Sequence, residues 1–183
     1  MSDLLLSGQN LRFLLNDWLK TGDLIDAETQ DAFLDISEKL ARDQFLSHYK
    51  QSDTEEPFLG PDGVHICPPI HNALKHYAEL GFFSAGFPEE VGGHGLPFIA
   101  CAASFAYFAA ANVATVAYQM LTVANARLIT TFGSQAQIEQ FALPQIRGDW
   151  FGTMCLSEPQ AGSSLADIRT RAVPDGEDAF GTR

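Results

Sequence analysis

No charged side chain lies between Pro97 and Arg127, and this apolar run limits what the chain can fold into more than any other feature. The run is long enough to cross a bilayer as one helix. It is rich in alanine, however, and it carries polar amides, among them Asn112 and Asn125. Asn112 is a suitable N-cap for a new helix in the middle of the run. We therefore expect two long buried helices that end near Phe132, and no membrane span.

The composition is that of a globular protein with room for one core, or for a main domain and the start of a second. Of the 183 residues, 46% are hydrophobic and 19% are charged, and the net charge is -12. So acidic a chain repels phosphates and anionic lipids, which argues against nucleic acid or a membrane surface as a partner. Cys67, Cys101 and Cys155 lie far apart in apolar sequence and predict reduced, buried thiols in a cytoplasmic protein. The N-terminus has no basic segment, so no signal peptide is predicted.

Helical periodicity accounts for most of the chain before residue 150. A first helix over residues 10–20 is predicted by one apolar stripe at helical spacing, Leu11, Leu14, Leu15, Trp18 and Leu19. A second helix over about 27–50 is predicted by apolar residues spaced for one face, Phe33, Ile36, Leu40 and Tyr49. Residues 51–69 are rich in proline, glycine and acidic side chains and predict a loop. A short helix follows and ends at Gly81, and a second glycine- and proline-rich loop leads to Pro97.

The sequence changes character near residue 150. Ser134 and Gln137 form a capping-box pattern for a short helix through Phe141, and PQIRGDW then predicts a turn. Period-two alternation appears in WFGTMCLSE and DIRTRAV, and PDGEDAFGTR predicts a hairpin. We expect a mainly α fold in two parts, a helical domain over residues 1–150 and the first strands of a β-domain over 151–183. A strand pair alone has two open edges, so its partner strands should come from another chain or from a longer form of the protein.

The sequence GTMCLSEPQAGSS, residues 152–164, is the stretch best suited to bind a ligand. Met154 and Leu156 are apolar enough for a strand, and Ser157 at its end offers a hydroxyl to a ligand beside the sheet. Pro159 ends the strand pairing. The turn after it exposes backbone amides and serine hydroxyls, including Ser163, that suit an anion such as a phosphate. On residue types alone, these serines also fit an ordinary strand end and turn that bind nothing.

Three stretches, in the same order along the chain, resemble the acyl-CoA dehydrogenase family. MCLSEPQAGSS, with a T-x-A a few residues later, resembles the flavin-binding signature C-L-T-E-P-x-A-G-S-D. AELGFFSAGFPEEVGGHGLP resembles the family's E-L-G and P-E-x-x-G-G-x-G loop. TTFGSQAQIEQFALPQIRGDWFGTMCLSE resembles its G-(S/T)-x-x-Q-K-x-x-x-L-P run into the flavin strand. The likeness covers residues 78–172, and the proline-rich segment before His71 resembles the larger bacterial members, including the methylmercaptopropionyl-CoA dehydrogenase branch.

The resemblance implies an enzyme of three parts, with an N-terminal helical domain, a middle β-domain and a C-terminal four-helix bundle. It implies an FAD-dependent oxidoreductase of fatty acid metabolism that oxidises the CH–CH bond between the α and β carbons of an acyl-CoA thioester. In the family, a glutamate base takes the α-proton and N5 of FAD accepts the β-hydride. An electron-transfer acceptor, a homo-oligomeric assembly and a cytoplasmic location are implied with it.

Four residues match flavin-binding positions of the family. Met154 and Leu156 would face the flavin ring through their backbone, and Ser157 would place its hydroxyl near flavin N5 and O4. Ser163 corresponds to the serine that contacts the pyrophosphate or the bound CoA ester, so it is a candidate for binding both cofactor and substrate. Ser164 departs from the pattern, which usually has aspartate there.

The chain contains no candidate for the catalytic base. The resemblance implies that this glutamate and the second flavin strand lie beyond Arg183, and Glu158 matches a structural carboxylate of the signature instead. We therefore expect the 183-residue chain to be inactive alone and the full-length protein to be the enzyme.

The sequence also raises three other interpretations of the chain. The chain fits, as an alternative, a non-catalytic, degenerate helical module that binds a protein partner. A DNA-associated relative of the alkylation-response branch is disfavoured by the charge of -12. A zinc site built from His65, Cys67, His71 and His76 is disfavoured, because two histidines five residues apart on a helix face different ways.

Overall fold

The computed structural model describes residues 6–178 and 181–182. Most of these residues are helical, and their strands form two short hairpins. The α-helices are Gly8–Phe13 (α1), Ala27–Leu40 (α2), Tyr49–Thr54 (α3), Pro68–Glu79 (α4), Phe98–Phe132 (α5), Gln135–Gln137 (α6) and Leu143–Arg147 (α7). Wider π turns occupy Leu14–Trp18, Ala41–Phe45 and Ile138–Ala142, and 3-10 turns occupy Thr21–Asp23, Leu46–His48, Glu89–Val91 and Leu165–Asp167. The antiparallel hairpins pair Phe58–Gly60 (β1) with Gly63–His65 (β2), and Glu177–Asp178 (β3) with Gly181–Thr182 (β4). The mainly α fold class is confirmed.

The first two helices form where they are predicted but bury only part of the predicted face. Of the predicted apolar stripe of α1 and its π turn, Leu15 is buried, whereas Leu14, Trp18 and Leu19 are exposed. In α2, Leu40 is buried as predicted and Ile36 is exposed, while the buried side chains include the polar Gln30 and Ser37. Ser37 Oγ hydrogen-bonds Ser104 Oγ of α5 at 2.7 Å, so this polar group is buried together with its partner. Hydrophobic spacing alone therefore predicts only part of each buried face.

The segment predicted as a loop, residues 51–69, contains regular structure. The second helix continues through its π and 3-10 turns into α3 and ends at Thr54. β1 and β2 then form a hairpin in which the rings of Phe58 and His65 stack with centroids 4.7 Å apart. Gly63 adopts a φ of 131° directly after Asp62. This Asp-Gly pair is a known hairpin signal, and the loop prediction here is wrong.

The charge-free run folds as α5, which is interrupted where the sequence predicts a new helix. Asn112 has non-helical φ and ψ angles of -162° and 92°, and its Oδ1 accepts a hydrogen bond from Thr115 N at 3.1 Å. The predicted N-cap is confirmed. By length and composition α5 meets the criteria for a membrane-crossing helix, and half of its most apolar window is buried inside the protein. Core helices of water-soluble proteins also meet these criteria.

Aromatic rings fill the core between α2, α4 and α5. The Tyr77 ring lies 4.9 Å from that of Phe108 and 5.1 Å from that of Phe83, both at steep interplanar angles. The Phe45 ring, on the π turn after α2, lies 4.9 Å from Phe108. Edge-to-face contacts of this kind stabilise a pair beyond the burial of its area. The core thus joins the N-terminal helices to the first half of α5.

Residues 133–148 pack a second, smaller core against the far half of α5. Ser134 and Gln137 form the predicted capping box, with hydrogen bonds of 3.3 Å and 2.8 Å. The turn predicted for PQIRGDW is wrong, because helix continues as α7 to Arg147. Ile146 lies buried in this cluster, and Gly148 ends the helix in the left-handed region with a φ of 81°. The irregular segment that follows α7 therefore begins directly after Gly148.

The two strands predicted for WFGTMCLSE and DIRTRAV do not form among the described residues. Residues 151–157 have no neighbouring strand there, and an isolated bridge between Glu158 and Ala161 is the pairing that remains. A strand needs a partner for its backbone hydrogen bonds, and no sequence pattern supplies one. The hairpin predicted near the end is confirmed as β3 and β4, although its residues 179, 180 and 183 lie outside the described part.

Candidate functional site

The four sequence-predicted site residues lie on one irregular segment, residues 149–165, that follows α7. Met154 and Leu156 expose 57% and 43% of their surface. Ser157 and Ser163 are exposed as well. The structure thus places all four on one accessible segment. Whether they contact a flavin stays a prediction.

The start of this segment is attached to the helices through Phe151 and Gly152. The Phe151 ring makes edge contacts with Phe83 and Tyr118, with centroids 5.9 Å and 6.2 Å away. Gly152 N donates a hydrogen bond to Thr122 Oγ1 of α5 at 3.0 Å. Thr122 was not identified in the sequence analysis, because a threonine inside an apolar helix gives no sign of a partner thirty residues later.

The middle of the segment is a tight turn at the EPQA of the signature. Glu158 N donates to the Ala161 carbonyl at 2.8 Å, and Ala161 N donates back to the Glu158 carbonyl at 3.1 Å. Ala161 is buried, while Pro159 and Gln160 lie exposed at the tip. The turn therefore reverses the chain between Ser157 and Ser163.

The Glu158 side chain ties this turn to the segment that follows it. Its carboxylate accepts hydrogen bonds from Arg169 N at 3.0 Å, from Thr170 N at 2.8 Å and from the Thr170 hydroxyl. These bonds, led by the one from the Thr170 hydroxyl, lower the pKa of Glu158 to about 2. Glu158 is thus a structural carboxylate held ionised, as the sequence analysis expects, and Thr170 is the threonine of the T-x-A noted there.

The segment presents groups that fit a planar aromatic ring and a phosphate. Among the described residues, the backbone groups of 153–157 make no hydrogen bond, and the exposed Met154 and Leu156 offer apolar surface beside them. The backbone N–H groups of Gly162, Ser163 and Ser164 are equally without a partner in this part of the chain. Successive free amides next to serine hydroxyls suit an anionic oxygen. The residues present therefore fit a group that joins a flat ring to phosphates.

The structure also gives the position of the other candidate residues. Within residues 6–178 and 181–182, no three His, Cys, Asp or Glu side chains lie close enough together to hold a metal ion. His65 instead bonds Asp62 Oδ1 at 2.7 Å in the first hairpin, and Cys67 is buried at the start of α4. His76 Nδ1 bonds the Asn72 carbonyl at 2.7 Å, and His71 is exposed. Of the three cysteines expected to be buried, Cys67 is buried, whereas Cys101 is half-buried and Cys155, on the irregular segment after α7, is exposed.

Comparison with known proteins adds to this geometry. A family profile described as acyl-CoA dehydrogenase, N-terminal domain, matches residues 27–149. The chain is 33% identical over 128 residues to 3-methylmercaptopropionyl-CoA dehydrogenase of Ruegeria pomeroyi, covering 70% of this chain and 22% of that protein. It is 26% identical over 178 residues to butyryl-CoA dehydrogenase of Syntrophomonas wolfei, covering 91% of this chain and 29% of that protein. The chain thus spans less than a third of the length of either relative.

The fold agrees with solved structures. The glutaryl-CoA dehydrogenase of Mycobacterium smegmatis superposes with a TM-score of 0.68 at 20% identity, covering 88% of this chain and 39% of that one. An identity this low supports a shared fold and nothing finer. Since the family profile matches well over half of the chain, the protein belongs to the acyl-CoA dehydrogenase family.

Proposed function

We propose that the full-length protein is an FAD-dependent acyl-CoA dehydrogenase that oxidises the α,β CH–CH bond of an acyl-CoA thioester. The observation that carries the proposal is the exposed segment 152–164, which bears the flavin signature and is attached to the helical domain at Gly152 and to the following segment at Glu158. Family membership and the acyl-CoA dehydrogenases among its relatives support the same reaction class. In fatty acid metabolism such an enzyme introduces a double bond next to the thioester.

In this proposal the residues of the segment bind and orient the cofactor and the substrate. The backbone at Met154 and Leu156 would face the flavin ring, and the Ser157 hydroxyl would donate to the ring near N5 and O4. Ser163, with the free amides around it, would bind the pyrophosphate or the CoA ester. FAD, when bound, would supply the hydride acceptor.

The signature segment offers no residue for the remaining role. Glu158 cannot act as the base that removes the α-proton, because its pKa is lowered to about 2 and its oxygens are occupied by Arg169 and Thr170. We therefore assign the base to the part of the full-length protein outside these residues. It follows that residues 1–183 alone are inactive. We place the boundary between the helical domain and the β-domain at residue 150.

The partners follow from the same proposal. An acyl-CoA is the substrate and an electron-transfer acceptor reoxidises the flavin, in a homo-oligomer located in the cytoplasm. The three free cysteines suit a reducing compartment. The charge of -12 supports a partner other than nucleic acid.

The test is flavin binding and reduction in the full-length protein. The purified protein is expected to carry FAD, and the flavin should bleach when an acyl-CoA is added without air. Ser157→Ala should slow that bleaching about tenfold through the lost hydrogen bond. Ser47→Ala, at an exposed position on the 3-10 turn Leu46–His48 and outside the segment, should leave it unchanged. A full-length protein that binds no FAD would instead favour the non-catalytic helical module.

A further inference from the structure

The contact between Thr122 and Gly152 joins the longest helix to the first residues of the proposed flavin segment. Thr122 is fully buried, and its hydroxyl donates its one proton to the Tyr118 carbonyl at 2.6 Å. The lone pairs of Oγ1 are then free to accept, and the bond from Gly152 N at 3.0 Å uses one of them. Donor and acceptor roles are thus fixed on both sides of this contact.

Gly152 is required at this point by space and not by backbone conformation. A Cβ atom there would lie 2.5 Å from Gln145 Oε1 and 2.7 Å from Asn125 Cβ. Both distances are shorter than van der Waals contact, and the Asn125 Cβ cannot move without moving α5. The absence of a side chain therefore lets the backbone N–H of Gly152 approach α5 closely enough to reach Thr122.

The same contact is the attachment point of the segment. Within the described part of the chain, Gly152 is the member of residues 151–157 whose backbone is hydrogen-bonded to the helical domain. Met154 follows two residues later and Ser157 five residues later. A displacement of Gly152 would therefore displace both residues with it.

We propose that Thr122 is a positioning residue that fixes the position of the flavin-binding segment on α5 by holding Gly152 N. This inference rests on the proposed function, since it concerns the segment assigned to the flavin. Thr122 itself touches neither cofactor nor substrate. Its effect reaches the flavin through the placement of Met154, Leu156 and Ser157.

The experiment compares three variants of the full-length protein. Thr122→Val keeps the shape and removes the acceptor, and Thr122→Ser keeps the hydroxyl. Thr131→Val is the matched control, because the Thr131 hydroxyl bonds the Arg127 carbonyl four residues earlier on the same helix and does not contact the segment. Each apoprotein is titrated with FAD, and amide hydrogen exchange of the peptide containing Gly152 is measured without flavin.

Thr122→Val is expected to bind FAD about tenfold more weakly and to exchange the Gly152 amide faster, because the half-buried Gly152 N–H has lost its acceptor. Thr122→Ser and Thr131→Val should both resemble the unaltered protein. If Thr122→Val does not fold, Gly152→Ala decides instead, since it alters no residue of α5 and should weaken FAD binding by displacing the segment from the helix.

Two results would overturn the inference, and they are distinguishable. If the unaltered protein binds FAD and Thr122→Val, or Gly152→Ala in its place, binds it equally well, Thr122 is a structural residue only and the proposed function stands. If the unaltered protein binds no FAD, the proposed function fails and this inference fails with it.

Discussion

Asn112 Oδ1 accepts a hydrogen bond from the backbone N–H of Thr115, so one side chain starts the second half of the 35-residue helix α5. The amide of the same residue donates to the Phe45 carbonyl at 3.3 Å and to Ser52 Oγ at 3.1 Å. Asn112 is buried, and its hydrogen bonds reach both the helix it caps and the helical turns packed against it. The Asn112 side chain therefore stabilises the bend in α5 through a bond within α5 and through bonds to Phe45 and Ser52.

Replacing Asn112 by alanine should destabilise the protein by about 2–3 kcal/mol. The change removes an N-cap, typically about 1 kcal/mol, and leaves a buried carbonyl and a buried backbone donor without partners. The free energy of unfolding, measured in urea, checks the prediction. Val113→Ala, at the exposed neighbouring position, should change it by less than about 1 kcal/mol. A similar small effect for both variants would contradict a structural role for the Asn112 side chain.

His48 should make the stability of the protein depend on pH below about 6.5. It exposes 3% of its surface, and its Nε2 lies 2.9 Å from Thr115 Oγ1. Burial lowers the pKa of His48 below its usual 6.5, so the native protein keeps the ring neutral while the unfolded chain takes up a proton. The free energy of unfolding should therefore be constant above pH 6.5 in this respect and should fall as the pH decreases from there toward the lowered pKa.

The measurement is urea unfolding between pH 5 and 7.5. His48→Gln should flatten the slope below pH 6.5, whereas His71→Gln, at an exposed position, should leave it as it is. If the slope of His48→Gln matches that of the unaltered protein, the pH dependence arises elsewhere.

These cases separate what the sequence could predict of the fold from what it could not. The cap at Asn112 and the capping box at Ser134 depend on residues within four positions of each other, so their pattern is visible in the sequence. The buried face of α2 depends on the bond from Ser37 to Ser104, 67 residues away, which no local pattern contains. For this reason the predicted apolar face includes Ile36, which is exposed, and omits Ser37, which is buried.

The site shows the same division. The signature residues from Met154 to Ser163 could be recognised by their resemblance to the family, and their exposure fits a ligand site. The residues that attach them, Thr122 above all, lie outside the signature and act through distant contacts. The strands predicted for residues 150–158 and 167–173 do not form among the described residues. Alternation of apolar residues indicates a single strand, and the described part of the chain contains no second strand to pair with it.

Gly148→Ala should destabilise the protein by about 2–4 kcal/mol. The residue has a φ of 81°, where a side chain is strained, and an added Cβ would lie 2.6 Å from Ala78 Cβ and 2.9 Å from Phe83 Cδ2. The shift should appear in the urea midpoint with an unchanged m-value. Gly22→Ala is the control, since nothing lies within 4 Å of the added atom, and it should be within about 1 kcal/mol of neutral. Equal effects at the two glycines would contradict the prediction that an added Cβ at Gly148 clashes with Ala78 and Phe83.

The carboxyl group of Glu158 should titrate far below an ordinary glutamate. Hydrogen bonds from the Thr170 hydroxyl and from the amides of Arg169 and Thr170 lower its pKa to about 2, against the usual 4.5. Because the pKa is lowered in the folded state, this attachment is complete above pH 4.5 and is lost as the pH falls through about 2. Carbon NMR of the Glu158 carboxyl group should therefore give a midpoint near 2. Glu158→Gln should speed hydrogen exchange at the amides of Arg169 and Thr170, while Asp167→Asn, which removes the same charge nearby, should not. A midpoint near 4.5, or unchanged exchange in Glu158→Gln, would mean that the turn is held by its backbone bridge to Ala161 and not by this side chain.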